Sequence, residues 1–424
     1  MTTTVPDLAV PIARYARRLH EVIGDGHQVA SPLGAWLLLA LAGPASTGAE
    51  RETLTEVLGC DADVAARAAA DLLTSPHPLV AAAAAVWGTP TRVGDEWIAG
   101  LPAVVETGAV PDQAGLDSWA RRHTFGLIDR FPIRVTPAIY LILATALATR
   151  VSWECPFELA PASSLGPDTP WAKRLTRVLR APKHHGHRQL IAATPQAGDV
   201  AIHTASARGG LLVASVAAAA EVPAADVLAA AHALAVACAV GTDVERRSLF
   251  DLPLGDGPAW SLREEMSDSG GGQEFTAVLP AWSANSRHDL ADPRLGFGAA
   301  ASALAGPDPW EAKQAAMARY TRIGFEAAAV TAMAVALSMH RPSRGLRRTA
   351  ELRFAHPFAV VAVTVDESYD SELRRPRTGP WHGIPVFSAW VTDPQDADEE
   401  PQDADAEPQD ADAEPQDADA KPPA

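Results

Sequence analysis

Cysteine is scarce in this chain: Cys60, Cys155 and Cys238 are the only three in 424 residues. An odd, widely spaced set builds no disulfide framework, so the three read as small, inert, buried side chains. No run of about 18 apolar residues goes uninterrupted, which argues against a membrane helix. Met1 to Arg18 lacks an apolar stretch between a basic start and a small-residue cleavage site, so a cytoplasmic protein is expected. A Gly-x-Ser-x-Gly elbow, a His-Glu-x-x-His pair and a phosphate-cradling glycine fingerprint are all missing. An enzyme reading therefore has no residue to stand on, and no cofactor is expected.

Excess positive charge is lacking too. The formal net charge is -17, but Asp393 to Ala424 alone carries 13 acids and one base. The remainder holds 39 acids and 34 bases, 52 less 13 and 35 less one, and is only mildly acidic. Nucleic-acid binding is not expected on that balance. The hydrophobic share of 47% and the charged share of 21% are globular values, enough for a large core. The acidic end repeats with a seven-residue period, from Pro394-Gln395-Asp396-Ala397-Asp398-Glu399-Glu400 through near-copies at Pro401, Pro408 and Pro415. Proline in each unit and no apolar seam exclude a coiled coil, so 393–424 reads as a solvated, disordered tail.

Within 1–392 the elements mix without regular alternation, which favours α+β over a wound parallel sheet. Leu8, Ile12, Tyr15, Ala16, Leu19 and Ile23 fall at helical spacing. Ser31-Pro32 is a cap followed by proline at the first helical position, opening a helix through Trp36 to Leu41. Tyr140 to Val151 reads as a fully buried strand. Further strands are expected at 210–216, 275–279, 358–365 and 384–391.

The most informative stretch is Gly324 to Leu337, small and β-compatible, with Glu326 its only charge. With period two, Phe325, Ala327, Ala329, Thr331, Met333, Val335 and Leu337 share one face. An Arg-rich, Pro-interrupted loop follows from His340 to Arg348.

In order along residues 8 to 394, several segments resemble the serpins. They are Ser31-Pro32, a helix bearing Trp119, Thr124, Gly126 and Ile128, Leu143 to Phe157 including Trp153, and Leu279-Pro280-Ala281-Trp282 before Asp289-Leu290. His356-Pro357-Phe358 and Val386 to Pro394 complete the series, together with the 324–337 run. The resemblance implies three β-sheets with eight or nine helices and an exposed reactive loop at about 322–350. It implies an inhibitor of a serine protease of subtilisin, elastase or trypsin type, acting as a monomer. An extracellular setting, as for many serpins, is the alternative location. In that family a protease cleaves the loop, which then inserts into the central sheet and traps the acyl-enzyme.

Carried over residue by residue, the hinge is Arg322, Gly324, Phe325, Glu326, Ala327, Ala328, Ala329, Val330 and Thr331. The reactive bond falls at Ser338-Met339 counted from the hinge, or near Arg344-Gly345 counted back from Pro357-Phe358. The sheet opening is Ser31, Pro32, Thr145, Gln314 and Trp153, with Gly34 within the same polar cluster. Departures stand at Arg322, where an acid is usual, at Phe325, which needs space where Thr or Ser is usual and is expected to slow the first step of insertion, and at Thr145 and Val151, usually Asn and Gly. They support a second reading, a binding or carrier protein whose loop is cleaved without trapping. Burying the larger apolar residues of the inserting face would supply roughly 6–12 kcal/mol, and Pro342 bars insertion beyond it.

Other clusters take plainer readings. His184-His185-Gly186-His187 lacks a nearby carboxylate or thiol, sits in a Pro- and Lys-flanked stretch, and is expected to be a solvated loop rather than a metal site. Gly270-Gly271-Gly272 reads as a flexible turn, and Glu264-Glu265 as a solvated pair.

Overall fold

In the computed structural model, residues 8–88, 95–268, 270–306, 308–325, 344–370 and 375–397 are described. Helices among them are α1 (Ala9–Ile23), α2 (Pro32–Ala42), α3 (Gly48–Leu58), α4 (Ala62–Thr74), α5 (Asp95–Ala99), α6 (Gln113–His123), α7 (Pro170–Arg174), α8 (Ala224–Val240) and α9 (Phe297–Ala305). The helix starts follow the caps. Ser31 accepts from the Gly34 amide at the head of α2, which is apolar all round and buried at nearly every position. Helix α1 buries Ile12, Tyr15, Ala16 and Leu19, and leaves Arg17 paired with Glu21 outside.

Among the described residues, two sheets have six strands. One runs β1 (Gln28–Ala30), β21 (Pro385–Val391), β18 (Phe358–Thr364), β10 (Leu211–Ala217), β9 (Gly198–Ala207) and β8 (His187–Thr194). Strands β10, β18 and β21 are buried at each residue because both faces are covered, one by α8. The other runs β11 (Gly255–Asp256), β12 (Trp260–Ser267), β17 (Gly345–Arg353), β13 (Gly272–Leu279), β7 (Arg177–Arg180) and β6 (Glu158–Pro161). A separate hairpin pairs β19 (Glu367–Asp370) with β20 (Arg375–Thr378).

The third sheet is split. One part is β3 (Glu106–Gly108), β2 (Val80–Gly88) and β4 (Leu141–Thr149). The other is β14 (Trp282–Asp289), β15 (Lys313–Tyr320), β16 (Gly324–Phe325) and β5 (Val151–Ser152). Strands β4 and β5 are one run of chain interrupted only at Arg150, so the halves are joined at one end and open below it. The expected fully buried strand at 140–151 is thus corrected: it breaks at Arg150, and Leu141, Leu143 and Thr145 are only half-buried beside the opening.

Three other expectations change. The loop expected to reach 350 ends earlier, because Gly345–Arg353 is a strand held between β12 and β13. Arg348 lies within it, bonded to Glu264 and to the Leu249 and Leu252 carbonyls. The helix expected to run through Thr124 stops at His123, and Phe125 takes a left-handed φ of 53° in the following turn. The tail boundary at 393 also moves. Asp396 accepts from the Thr176 and Arg177 amides, and Gln395 donates its backbone N–H to the Ala281 carbonyl. Residues 393–397 therefore pack on the body, and 398–424 lie outside the described residues.

Candidate functional site: the split sheet and its hinge

The opening between β4 and β15 is a physical gap. Below the joined end lies a cavity of about 70 Å³, lined by Thr145 and Leu147 of β4, Gln314 and Ala315 of β15, Ser31 and Gly34 of α2, and Ile128 and Phe131 from the chain after α6. A volume of that size holds several waters rather than a packed core, so the two strands are not zipped by side chains. A smaller cavity follows beside Leu147, Thr149, Ala316 and Phe325.

Beneath the gap, Ser31, Gly34, Thr145 and Gln314 come together. The Ser31 amide donates to Gln314 Oε1 at 2.9 Å, and Gln314 Nε2 donates to the Ser31 carbonyl at 2.8 Å. Thr145 Oγ1 donates to the Gly34 carbonyl at 2.9 Å, and Ser31 Oγ to that of Val386 at 2.9 Å. This network pins the head of α2 to both lips of the opening. Gly34 leaves room for it, since a Cβ there would meet Thr145 Oγ1 at 3.3 Å and Leu147 at 3.2 Å.

Above the gap, Trp153 is buried and donates its indole N–H to the Thr321 carbonyl at 3.0 Å. Its backbone N–H reaches the Ile323 carbonyl at 3.0 Å, and that of Phe157 the Arg322 carbonyl at 2.9 Å. Arg322 is therefore fixed through its backbone. Gly324 and Phe325 already occupy the sheet. Phe325 lies opposite Tyr320 and Val151, is 3% exposed, and meets the Trp282 ring edge-on. The expected burden of fitting a large residue at this position is revised: the chain has built the space from Trp282, Tyr320 and Val151.

Glu326, Ala327, Ala328, Ala329, Val330, Thr331, Ser338 and Met339 lie outside the described residues. Arg344 is exposed beside Asp268, whereas Gly345 is already in the ladder opposite Ser267. A Cβ at Gly345 would come within 2.5 Å of the Gly271 amide, so the two glycines permit this crossing.

The split sheet, the hinge strand at its top and two flanking six-stranded sheets decide the architecture. The fold is that of the serpins. A thermophilic serpin, Tengpin, in its native state superposes with a TM-score of 0.62 at 11% identity, over 92% of this chain and 95% of that one. Serpin48 of the insect Tenebrio molitor gives 0.60 at 14% identity, over 93% and 100%. Human thyroxine-binding globulin complexed with thyroxine gives 0.61 at 12%, over 92% and 99%. No family model matches the sequence, and no curated protein matches it. At such identities the serpin likeness is one of backbone. What the loop does must be argued from this chain's own residues.

Phe157, His187 and His203 form a chain of ring contacts running from Trp153, a grouping sequence reasoning did not join. Burial pushes the His187 imidazole down to about 4 and that of His203 well below its usual range, despite the Cys155 carbonyl that His187 contacts. The expectation of a solvated 184–187 loop fails for His187, which is 5% exposed.

Proposed function

We propose that this chain inhibits a serine-type endopeptidase as a suicide substrate, its cleaved loop filling the opening between β4 and β15. The observation that carries this reading is the placement of Gly324–Phe325 as a strand seed at the top of an otherwise open gap. Extending the Phe325 register one residue at a time gives each loop residue a partner on both lips. Glu326 would come between Arg150 and Arg319, opposite charges on the outer face. Ala327 and Ala329 would face Thr149 and Leu147 on one side, Ala318 and Ala316 on the other. Thr331, the one polar residue of the inward face, would land between Thr145 and Gln314.

That coincidence favours a strand selected to fit the slot. β15 offers partners down to Lys313 and β4 down to Leu141, which the register places opposite Ala332 and Val335. Cleavage must then lie beyond Val335 and before the Gly345 ladder, which supports Ser338-Met339 over Arg344-Gly345. Small or medium side chains there suit an elastase- or subtilisin-like partner.

The test is incubation with subtilisin-, elastase-, trypsin- and chymotrypsin-like proteases, read by denaturing gel and mass spectrometry. A band at the summed mass, with a released C-terminal peptide beginning at Met339, is expected. Clean cleavage with the protease still active and no gain in thermal stability would instead support the carrier reading.

A further inference from the structure

Glu154 is distant in sequence from the adjacent pair His184-His185, yet one ligand atom from each of the three lies within 4.8 Å of the other two. Glu154 follows Trp153 directly, and the two histidines form the turn between β7 and β8. Glu154 Oε2 is 3.6 Å from His185 Nε2. Two donors bound tetrahedrally to one zinc ion stand about 3.3 Å apart, so the pair is close to ligating separation.

The backbone holds these groups in place. The Ser206 carbonyl of β9 accepts from the Glu154 amide at 2.9 Å, while the Ser206 amide donates to the Gly186 carbonyl at 2.8 Å. One residue thus fixes both halves of the cluster. Gly186 supplies the space, because a Cβ there would fall 3.0 Å from Glu154 Oε2 and 3.3 Å from His184 Nδ1. The Gly186 amide donates to His184 Nδ1 at 3.0 Å, which sets that ring's orientation.

We propose that Glu154, His184 and His185 bind a divalent transition cation such as zinc. Two imidazoles and one carboxylate, with a water in the open fourth position, suit a borderline cation far better than calcium or magnesium. Bound there, the ion ties the segment that supports the hinge carbonyls to the turn of a neighbouring sheet. The site has no part in the loop's cleavage and stands whether or not the chain is an inhibitor.

The test is calorimetric titration of the full chain with zinc chloride at neutral pH. One saturable site is expected, weakened about tenfold or more in both Glu154→Gln and His185→Ala. Gly186→Ala should weaken it too, whereas His356→Ala, at a histidine outside the cluster, should leave it unchanged. Circular dichroism checks that each variant is folded. Absence of a saturable site, or equal affinity in wild type and the Glu154→Gln/His185→Ala double variant, would overturn the proposal.

Discussion

Trp153 and Thr321 are joined by an indole N–H to carbonyl hydrogen bond of 3.0 Å. The Trp153 ring also packs against Tyr320 at 5.0 Å and Phe157 at 6.0 Å between centroids. It holds the turn from which the loop departs. Trp153→Phe keeps an aromatic body but leaves the Thr321 carbonyl unpaired, at a cost of about 1–3 kcal/mol. The intact chain should melt at lower temperature. The loop-cleaved chain should lose less, because an inserted strand anchors the same turn. Equal losses in both forms would show that the bond serves general packing only.

Gln314 and Ser31 exchange two hydrogen bonds across one lip of the opening. Gln314→Ala removes both and leaves the Ser31 amide unpaired, again at a cost of about 1–3 kcal/mol, while the Ser31 carbonyl keeps the Ala35 amide. The variant should unfold at lower denaturant concentration. Gln314→Glu should restore only the bond to the Ser31 amide, so its midpoint should fall between those of wild type and Gln314→Ala.

Thr331 tests the register directly. If it enters between Thr145 and Gln314, Thr331→Arg would bury an unpaired charge, which the strand cannot offset. The variant should still be cleaved at Ser338-Met339 but should yield no gel-stable complex and no rise in melting temperature after cleavage. Thr331→Ser should behave as wild type. A complex formed normally by Thr331→Arg would sink the insertion register.

Much of this was legible because burial on both faces writes continuous apolar runs into a strand, as at 211–217, 358–364 and 385–391. Ser31-Pro32 was legible because capping is local chemistry. Other features depend on partners distant in sequence. Nothing around His184 announces Glu154, which the crossing at Ser206 delivers. A solvated repeat gives no hint that Asp396 caps the Thr176 and Arg177 amides, since the donors belong to another strand. Phe325 read as an obstacle because its pocket is built from Trp282, Tyr320 and Val151, none of them adjacent in sequence.

His232 of α8 supplies a prediction about pH. It is buried, and both ring nitrogens lack a hydrogen-bond partner among the described residues. Its ring centre is 6.2 Å from that of His20 on α1, which bonds Ser388 Oγ at 2.7 Å and is also influenced by His288. Burial lowers His232 to about 4; burial, with the neighbouring His232 and His288, lowers His20 to about 3. Both are neutral in the folded chain at pH values where the unfolded chain, with a histidine value of 6.5, takes up protons. Unfolding therefore gains protons as pH drops below about 6.5, and each ring withdraws on the order of 1 kcal/mol of stability per pH unit down to about pH 4. Above about pH 7 neither contributes to the slope. His232→Leu removes one proton uptake and two unpaired buried nitrogens. Its melting temperature should equal or exceed that of wild type at about pH 7.5, and should fall less steeply between about pH 6.5 and 4.5. Parallel curves for the two proteins would mean that His232 takes up its proton in the folded chain as readily as in the unfolded one.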